Sequence, residues 1–472
     1  MSLTYLALLP EALVVATALV VVAMGRLAWY PVASRRFLPS AVAVILLVAF
    51  GVELWFGAVS TTFFGGTLVQ DRFALFAKAA ALLITAVAVA SADWTAEDSP
   101  YLAVAMPLVA AFGVMVAASA GDMLGLWAGL ELAAASAVVI VSLRRPDLGL
   151  RLLVVGAVAS SLFLVGLAFI YASTGNADLG SIHAVLLSRA PTIALAAPVL
   201  LLLGGLALRA GLAPFHVGPL PVGLGASPVG AGLVIGLVTV AAGIVGIKVL
   251  AALTPIPEVF APYAYVVAAL AIVGGGAAAL AVRSPRPRMA YLAVSQLGWV
   301  AAGLSTHYRA GVAASLFLLA AFGVAATCGP ALLGRAEAGE AAIAGLGATR
   351  PLRAAGLALA MLSLAGAPPF AGFFGELAVA AALAQSGSFV LIGLGLLGTV
   401  LGSAAAIGTL RVLYLQGPIE EARRGAAAVL PAMTALSTAG AVVFSLVIAG
   451  YGLFGQPILG LADQGAEALG LR

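Results

Sequence analysis

Charge is what this sequence has least of. Of its 472 residues only 8% are Asp, Glu, Lys or Arg, where an ordinary soluble domain has about 25%. That scarcity excludes a soluble catalytic domain of any size. A single cysteine, Cys328, excludes an internal disulfide and any cysteine-ligated zinc or iron–sulfur site. The three histidines are too scattered to suggest a haem or metal centre. No glycine-rich nucleotide loop stands out, because the glycines sit inside apolar runs, where membrane helices tolerate them. The net charge of +4 points to no nucleic-acid partner. What is plentiful is apolar surface: 63% of residues are hydrophobic and the mean hydropathy is +1.18.

Such a chain is expected to be all-α and to cross a lipid bilayer many times. One span needs roughly 20 apolar residues. Runs of that kind, marked between polar breaks, give about fourteen segments: 3–25, 37–57, 71–92, 101–118, 121–142, 150–172, 191–216, 228–252, 262–282, 287–305, 310–333, 353–385, 388–415 and 429–453. The opening "MSLTYLALLPEALVVATALVVVAMGR" lacks a basic leading region, carries Glu11 and stays apolar to Gly25, so it reads as the first span and not as a signal peptide.

The basic residues orient these segments. Thirteen of the 22, from Arg26 to Arg424, fall in odd-numbered loops. Only four, Arg72, Arg189, Arg309 and Arg472, fall in even loops or at the termini. Odd loops are therefore expected in the cytoplasm, "RSPRPR" at 283–288 among them, and both termini outside.

The other five, Lys78, Arg151, Arg209, Lys248 and Arg411, lie within the segments, together with Glu11, Glu53, Asp122, Glu131 and Glu376. A charge at the bilayer centre costs roughly 2.5–3.5 kcal/mol. Glu11, Asp122, Lys248 and Arg411 are read as helix-end charges that reach toward water. Glu131 is different: ten residues of span precede it and eleven follow. It reads as functional or as half of a buried pair.

Two segments carry their own breakers. The seventh holds "LRAGLAPFHVGPLPVGLGASP" with Pro214, and the twelfth "LSLAGAPPFAGFFGEL" with Pro368 and Pro369. Proline removes a helix hydrogen bond and clashes with the carbonyl four residues back, which frees carbonyls near Leu364 and Ala365. In lipid such groups persist only inside protein or beside water. The breaks are about 155 residues and five segments apart. Five is odd, so the second unit is inverted relative to the first. Paired broken helices in inverted repeats point to an ion path within the membrane. The alternative is that these are ordinary proline kinks.

At these residues the chain resembles subunit N of bacterial NADH-quinone oxidoreductase (respiratory complex I), an antiporter-like family also related to Mrp-type sodium/proton antiporters. The likeness runs through "LLPE", "VQDRFALFAK", "LWAGLELAAAS", "LALRAGLAPFH", "RPRMAYLAVSQLGWVAAGL" and "MLSLAGAPPFAGFFGEL", in that order. It implies fourteen helices, with inverted five-helix repeats over helices 4–8 and 9–13. The corresponding regions are 1–100, 101–252, 262–415 and 429–472, within one membrane domain. It also implies a buried polar axis for protons. Glu131 matches the family's helix 5 glutamate. Arg209 stands for the helix 7 lysine, Arg151 for the basic residue of helix 6 and Thr239 for the helix 8 lysine. Gln296 replaces the helix 10 histidine, Glu376 reverses the charge of the helix 12 lysine, and His216 keeps the histidine of "PFH". Lys248 is a further candidate.

Arginine, unlike a buried lysine, does not give up its proton. Glu131, His216 and Glu376 are thus the groups expected to exchange protons. The resemblance implies a non-redox, proton-translocating subunit in a bacterial inner membrane, among other complex I membrane subunits. NADH, FMN, iron–sulfur clusters and quinone would belong to the rest of the complex. Alternatives are an Mrp-type antiporter or membrane hydrogenase subunit, or a structural complex I subunit with impaired conduction.

Overall fold

The computed structural model of the chain describes residues 3–26, 37–92, 99–188, 195–333, 339–417 and 435–471. It is built almost wholly of helices. After a 3-10 turn at Leu3–Leu8 come α1 (Leu9–Arg26), α2 (Leu38–Phe56) and α3 (Arg72–Ser91). A short antiparallel hairpin, β1 (Thr61–Phe63) and β2 (Leu68–Gln70), joins α2 to α3. The chain then runs through α4 (Pro100–Ser119), α5 (Met123–Arg144) and α6 (Pro146–Thr174). The short α7 (Leu179–Ser188), α8 (Ala196–Ala210) and α9 (Pro219–Gly225) follow. Next, α10 (Pro228–Gly232) passes through a π-helical turn, Leu233–Leu237, into α11 (Val238–Ala252). The second half holds α12 (Pro257–Ala281), α13 (Pro285–Ser305), α14 (Arg309–Leu333), the one-turn α15 (Leu346–Thr349), α16 (Pro351–Leu364), α17 (Ala371–Gln385) and α18 (Phe389–Leu415). The chain closes on α19 (Ala435–Leu453) and α20 (Gly455–Ala468).

Among the described residues ten helices are long and apolar enough to cross a membrane. The expected segments outside that group are the seventh, tenth, twelfth and fourteenth. The seventh is α8 followed by α9, the tenth is α13 with its basic start, and the twelfth is α16 followed by α17. The fourteenth corresponds to α19, which bends by 78° into α20. Residues 455–468, beyond the last expected segment, form a helix that packs on α3 and α14. α14 is the hub of the core: it contacts α3, α11, α13, α16, α17 and α20, and its spanning window is 94% buried.

The two breaks are the same local structure. α8 ends at Ala210-Gly211 and α16 at Ala365-Gly366, each three residues before the Pro-Phe pair. Both glycines are left-handed, with φ of +70° and +69°, a conformation that strains any other residue. At each break the next amide reaches back to close the helix, Leu212 N to Ala207 O at 2.9 Å and Ala367 N to Leu362 O at 3.0 Å. This is the glycine-dependent Schellman cap. Glycine, and not proline, therefore ends both helices; the prolines keep them from resuming.

Freed carbonyls find hydroxyl partners. Ala210 O accepts from Thr239 Oγ1 at 3.3 Å, and Ala365 O from Ser403 Oγ at 3.3 Å.

Three arginines counted as loop charges do other work. Arg286, Arg288 and Arg353 are each 5–6% exposed. Arg286 donates to Leu224 O and Ala226 O at the end of α9. Arg288 donates to Ala279 O and Val282 O after α12, and Arg353 to Leu332 O at the end of α14. Cations are favourable at helix C-termini. Arg35, Arg36, Arg189, Arg335, Arg423, Arg424 and Arg472 lie outside the described residues.

Candidate functional site

The structure gathers the expected polar residues into two centres, one beside each break. The first joins α5, α6 and α8. Arg209, in the last turn of α8, forms an ion pair with Glu131 of α5. Its Nη2 also lies 3.1 Å from Gly156 O and 2.6 Å from Ser160 Oγ, both on α6. The Ser160 hydroxyl in turn contacts the Glu131 carboxylate. Gly156 makes this approach possible: a Cβ there would stand 2.6 Å from Arg209 Nη1. The pair is unevenly buried. The Arg209 side chain is 7% exposed and that of Glu131 34%. The expectation of a buried pair holds for the arginine, while the carboxylate is open on one flank.

The second centre joins α13, α17 and α18. Glu376 is 5% exposed. Gln296 Nε2 donates to its Oε1 at 2.5 Å and Thr399 Oγ1 to its Oε2 at 2.6 Å. Trp299 Nε1 backs the threonine at 3.3 Å. The carboxylate presses on the break itself: a Cβ on Gly366 would fall 2.1–2.3 Å from the Glu376 carboxylate atoms. Glu376 thus faces the interrupted backbone. Among the described residues it has no ion-pair partner. Gln296 Oε1 is buried without a hydrogen-bond partner.

The remaining candidates divide. Thr239, 2% exposed, belongs to the first break through Ala210 O. His216 sits in the turn Phe215–Val217 after that break, edge-on to Tyr291 of α13 with ring centroids 6.1 Å apart. Its Nδ1 is buried and unpartnered. Arg151 lies exposed near the start of α6. Lys248, read as a helix-end charge reaching for water, is instead 4% exposed. It donates to Ala118 O at 2.8 Å and Ala120 O at 2.6 Å, capping the end of α4. That contact explains the burial. Asp122 caps α5 through Gly125 N at 2.7 Å, and Arg411 is exposed, as helix-end charges should be. Glu11 pairs with Lys78.

Small cavities follow the first break from one centre toward the other. One is lined by Gly156, Arg209, Pro219 and Val234. The next shares Pro219 and Val234 and continues past Thr239 to Ala293 and Leu297 of α13, the helix that carries Gln296. Ser160, Thr399, Trp299 and Ser403 were not singled out from sequence. No spacing rule marks a lone hydroxyl or indole within an apolar run.

Known proteins resemble this chain in sequence and fold. A family described as NADH:quinone oxidoreductase/Mrp antiporter, TM, matches residues 120–402, a stretch that holds both centres. The NADH-quinone oxidoreductase subunit N of Azorhizobium caulinodans is 31% identical over 78% of this chain and 79% of its own length. The subunit N of Erythrobacter litoralis is 31% identical over 90% of each chain. Among solved structures, a chain of the Mrp complex from Dietzia sp. is similar with a TM-score of 0.83 at 20% identity, over 99% of this chain and 98% of that one. A chain of respiratory complex I from Thermus thermophilus is similar with a TM-score of 0.79 at 24% identity, over 96% of this chain and 99% of that one. These two likenesses establish a shared fold, and the match over both polar centres goes further: this chain is a multi-pass membrane protein of the NADH:quinone oxidoreductase/Mrp antiporter transmembrane family.

Proposed function

We propose that the chain is an antiporter-like, proton-translocating membrane subunit of an NADH-quinone oxidoreductase. It would move protons across the membrane in response to electron transfer in other subunits. One observation carries this reading: two carboxylate centres, each set against an identical glycine-capped helix break, with small cavities running from the first centre to α13. Such breaks bring polar backbone and charge together within a membrane. In the first centre Arg209 keeps its proton. Glu131 and the Ser160 hydroxyl are then the groups that exchange one. In the second centre Glu376 has only neutral donors, so its charge is free to change. His216, beside α13, is a further group that can exchange a proton.

The same reading holds that fourteen segments cross the membrane, with inverted five-helix repeats, in a bacterial inner membrane. The chain lies among other complex I membrane subunits. NADH, FMN, iron–sulfur clusters and quinone are held by other subunits, so the chain is a non-redox part of the enzyme. "RSPRPR" faces the cytoplasm and both termini the outside. A cysteine at Ser284, in a chain with Cys328 replaced, is then labelled by impermeant reagents only from the cytoplasmic face.

Affinity purification of the full chain from its native membrane tests the complex. NADH-quinone reductase activity and flavin should co-purify. A preparation with cation/proton antiport and no NADH oxidation would overturn the reading in favour of an Mrp-type subunit, a fold this chain shares.

A further inference from the structure

The three N-terminal helices hold a polar cluster that the two centres do not use. Lys78 of α3 is ion-paired with Glu11 of α1. Its Nζ also donates to Gln70 Oε1 at 2.6 Å. Gln70 Nε2 donates to Glu53 Oε1 of α2 at 2.9 Å and to Gly57 O at 3.0 Å. Glu53 and Lys78 are fully buried and Gln70 is 1% exposed. Chemistry fixes the Gln70 amide: an ammonium only donates, so the amide oxygen faces Lys78 and the amide nitrogen faces Glu53.

Two carboxyl groups therefore share one cation, and they share it unequally. Glu11 touches the ammonium; Glu53 touches a neutral amide. Glu53 Oε2 is buried with no hydrogen-bond partner, and Glu53 has no ion pair among the described residues. It also sits in the last turn of α2, where the helix dipole is negative. No other charge nearby compensates it. α2 packs on α1, α3 and the Leu3–Leu8 turn. Beyond Glu11 and Lys78, α1 and α3 carry only Arg26 and Arg72. Arg26 is at the far end of α1, about 22 Å from Glu11 along the axis. Arg72 lines a separate apolar groove with Phe50 and Leu54, and the neighbouring Asp71 adds negative charge while capping α3. A metal ion does not fit, because Gln70 points N–H donors, and Lys78 an ammonium, into the cluster. An isolated buried carboxylate is expensive, and a proton removes the expense.

We infer that Glu53 is a proton-binding site, separate from the two centres beside the helix breaks. At neutral pH its carboxyl group holds a proton. In alkaline solution the acid gives this proton to hydroxide, leaving a carboxylate whose only nearby cation is Lys78, across the Gln70 amide. The inference is independent of whether Glu376 relays protons.

Infrared difference spectra of the purified complex, parent against Glu53→Gln, test it directly. At neutral pH the parent should show one carbonyl stretch of a protonated carboxylic acid that the variant lacks. In alkaline buffer that difference should become a carboxylate stretch. If the variant fails to assemble, Glu53→Asp shifts the same band and reports the same state. A carboxylate stretch at neutral pH would overturn the proposal, as would an acid stretch that persists unchanged in alkaline buffer.

Discussion

The first polar centre balances charge with charge; the second balances it with neutral donors. Glu131 meets Arg209, whereas Glu376 meets Gln296 and Thr399. Exposure is opposite as well: the Glu131 side chain is 34% exposed and Glu376 as a whole only 5%. Yet the scaffold beside each is the same, a helix ended by a left-handed glycine with its last carbonyl on a hydroxyl. The backbone break is thus the constant part of the design. Which charge stands against it, and how that charge is compensated, can differ. The centre with a fixed cation gives its carboxylate a charged partner; under the proposed function the centre without one leaves its carboxyl group able to gain or lose a proton.

The largest effect should come from breaking the ion pair on its exposed side. Glu131→Ala leaves Arg209 buried and uncompensated, a loss of about 3–5 kcal/mol. Arg209→Ala leaves the Glu131 carboxylate without its cation in the middle of its span, and should also destabilise the complex. The double variant should assemble better than Glu131→Ala alone. Native-gel assembly and thermal unfolding of the complex measure all three. Simple additivity would mean that the two residues do not act as a pair.

The breaks offer the next comparison. Alanine at Gly211 or Gly366 forces a left-handed side chain, at about 1–2 kcal/mol. At Gly211 the new Cβ would lie 3.2 Å from Pro219, which is tight but bearable. At Gly366 it would meet the Glu376 carboxylate at 2.1–2.3 Å, adding about 1–3 kcal/mol of overpacking. Gly366→Ala should therefore lower the unfolding temperature of the complex more than Gly211→Ala. Equal losses would mean that Glu376 does not rest on the break.

The smallest effect on assembly should come from Arg209→Lys. It keeps a cation for Glu131 while restoring a group that can titrate. Protons moved per electron pair should equal or exceed the parent value in reconstituted vesicles. A clear fall would show that the guanidinium fork to Gly156 and Ser160 matters more than charge.

Much of this was legible in the sequence because membrane helices are written as apolar runs. The breaks were visible too, since glycine and proline with a carboxylate are conspicuous in such a run. What stayed hidden depends on contacts between distant segments. α20 falls outside every expected segment because its apolar residues form one face, against α3 and α14, instead of a continuous stretch. α7 has only ten residues, half a span. Lys248 was misread because backbone carbonyls on another helix leave no trace in composition. Thr399 and Ser160 are ordinary hydroxyls until the fold sets them on a carboxylate. Gln296 and Glu376, 80 residues apart, are joined only by packing of α13 on α17.

Glu376→Gln tests the central claim, that the second centre carries a proton, most directly. Glutamine keeps the shape and can still hydrogen-bond, but it removes the exchangeable charge. The measurement is protons moved per electron pair, with NADH and quinone, in proteoliposomes holding the fully assembled complex. The account predicts continued electron transfer with fewer protons moved. An unchanged ratio in an assembled variant would contradict it and leave Glu376 a structural residue.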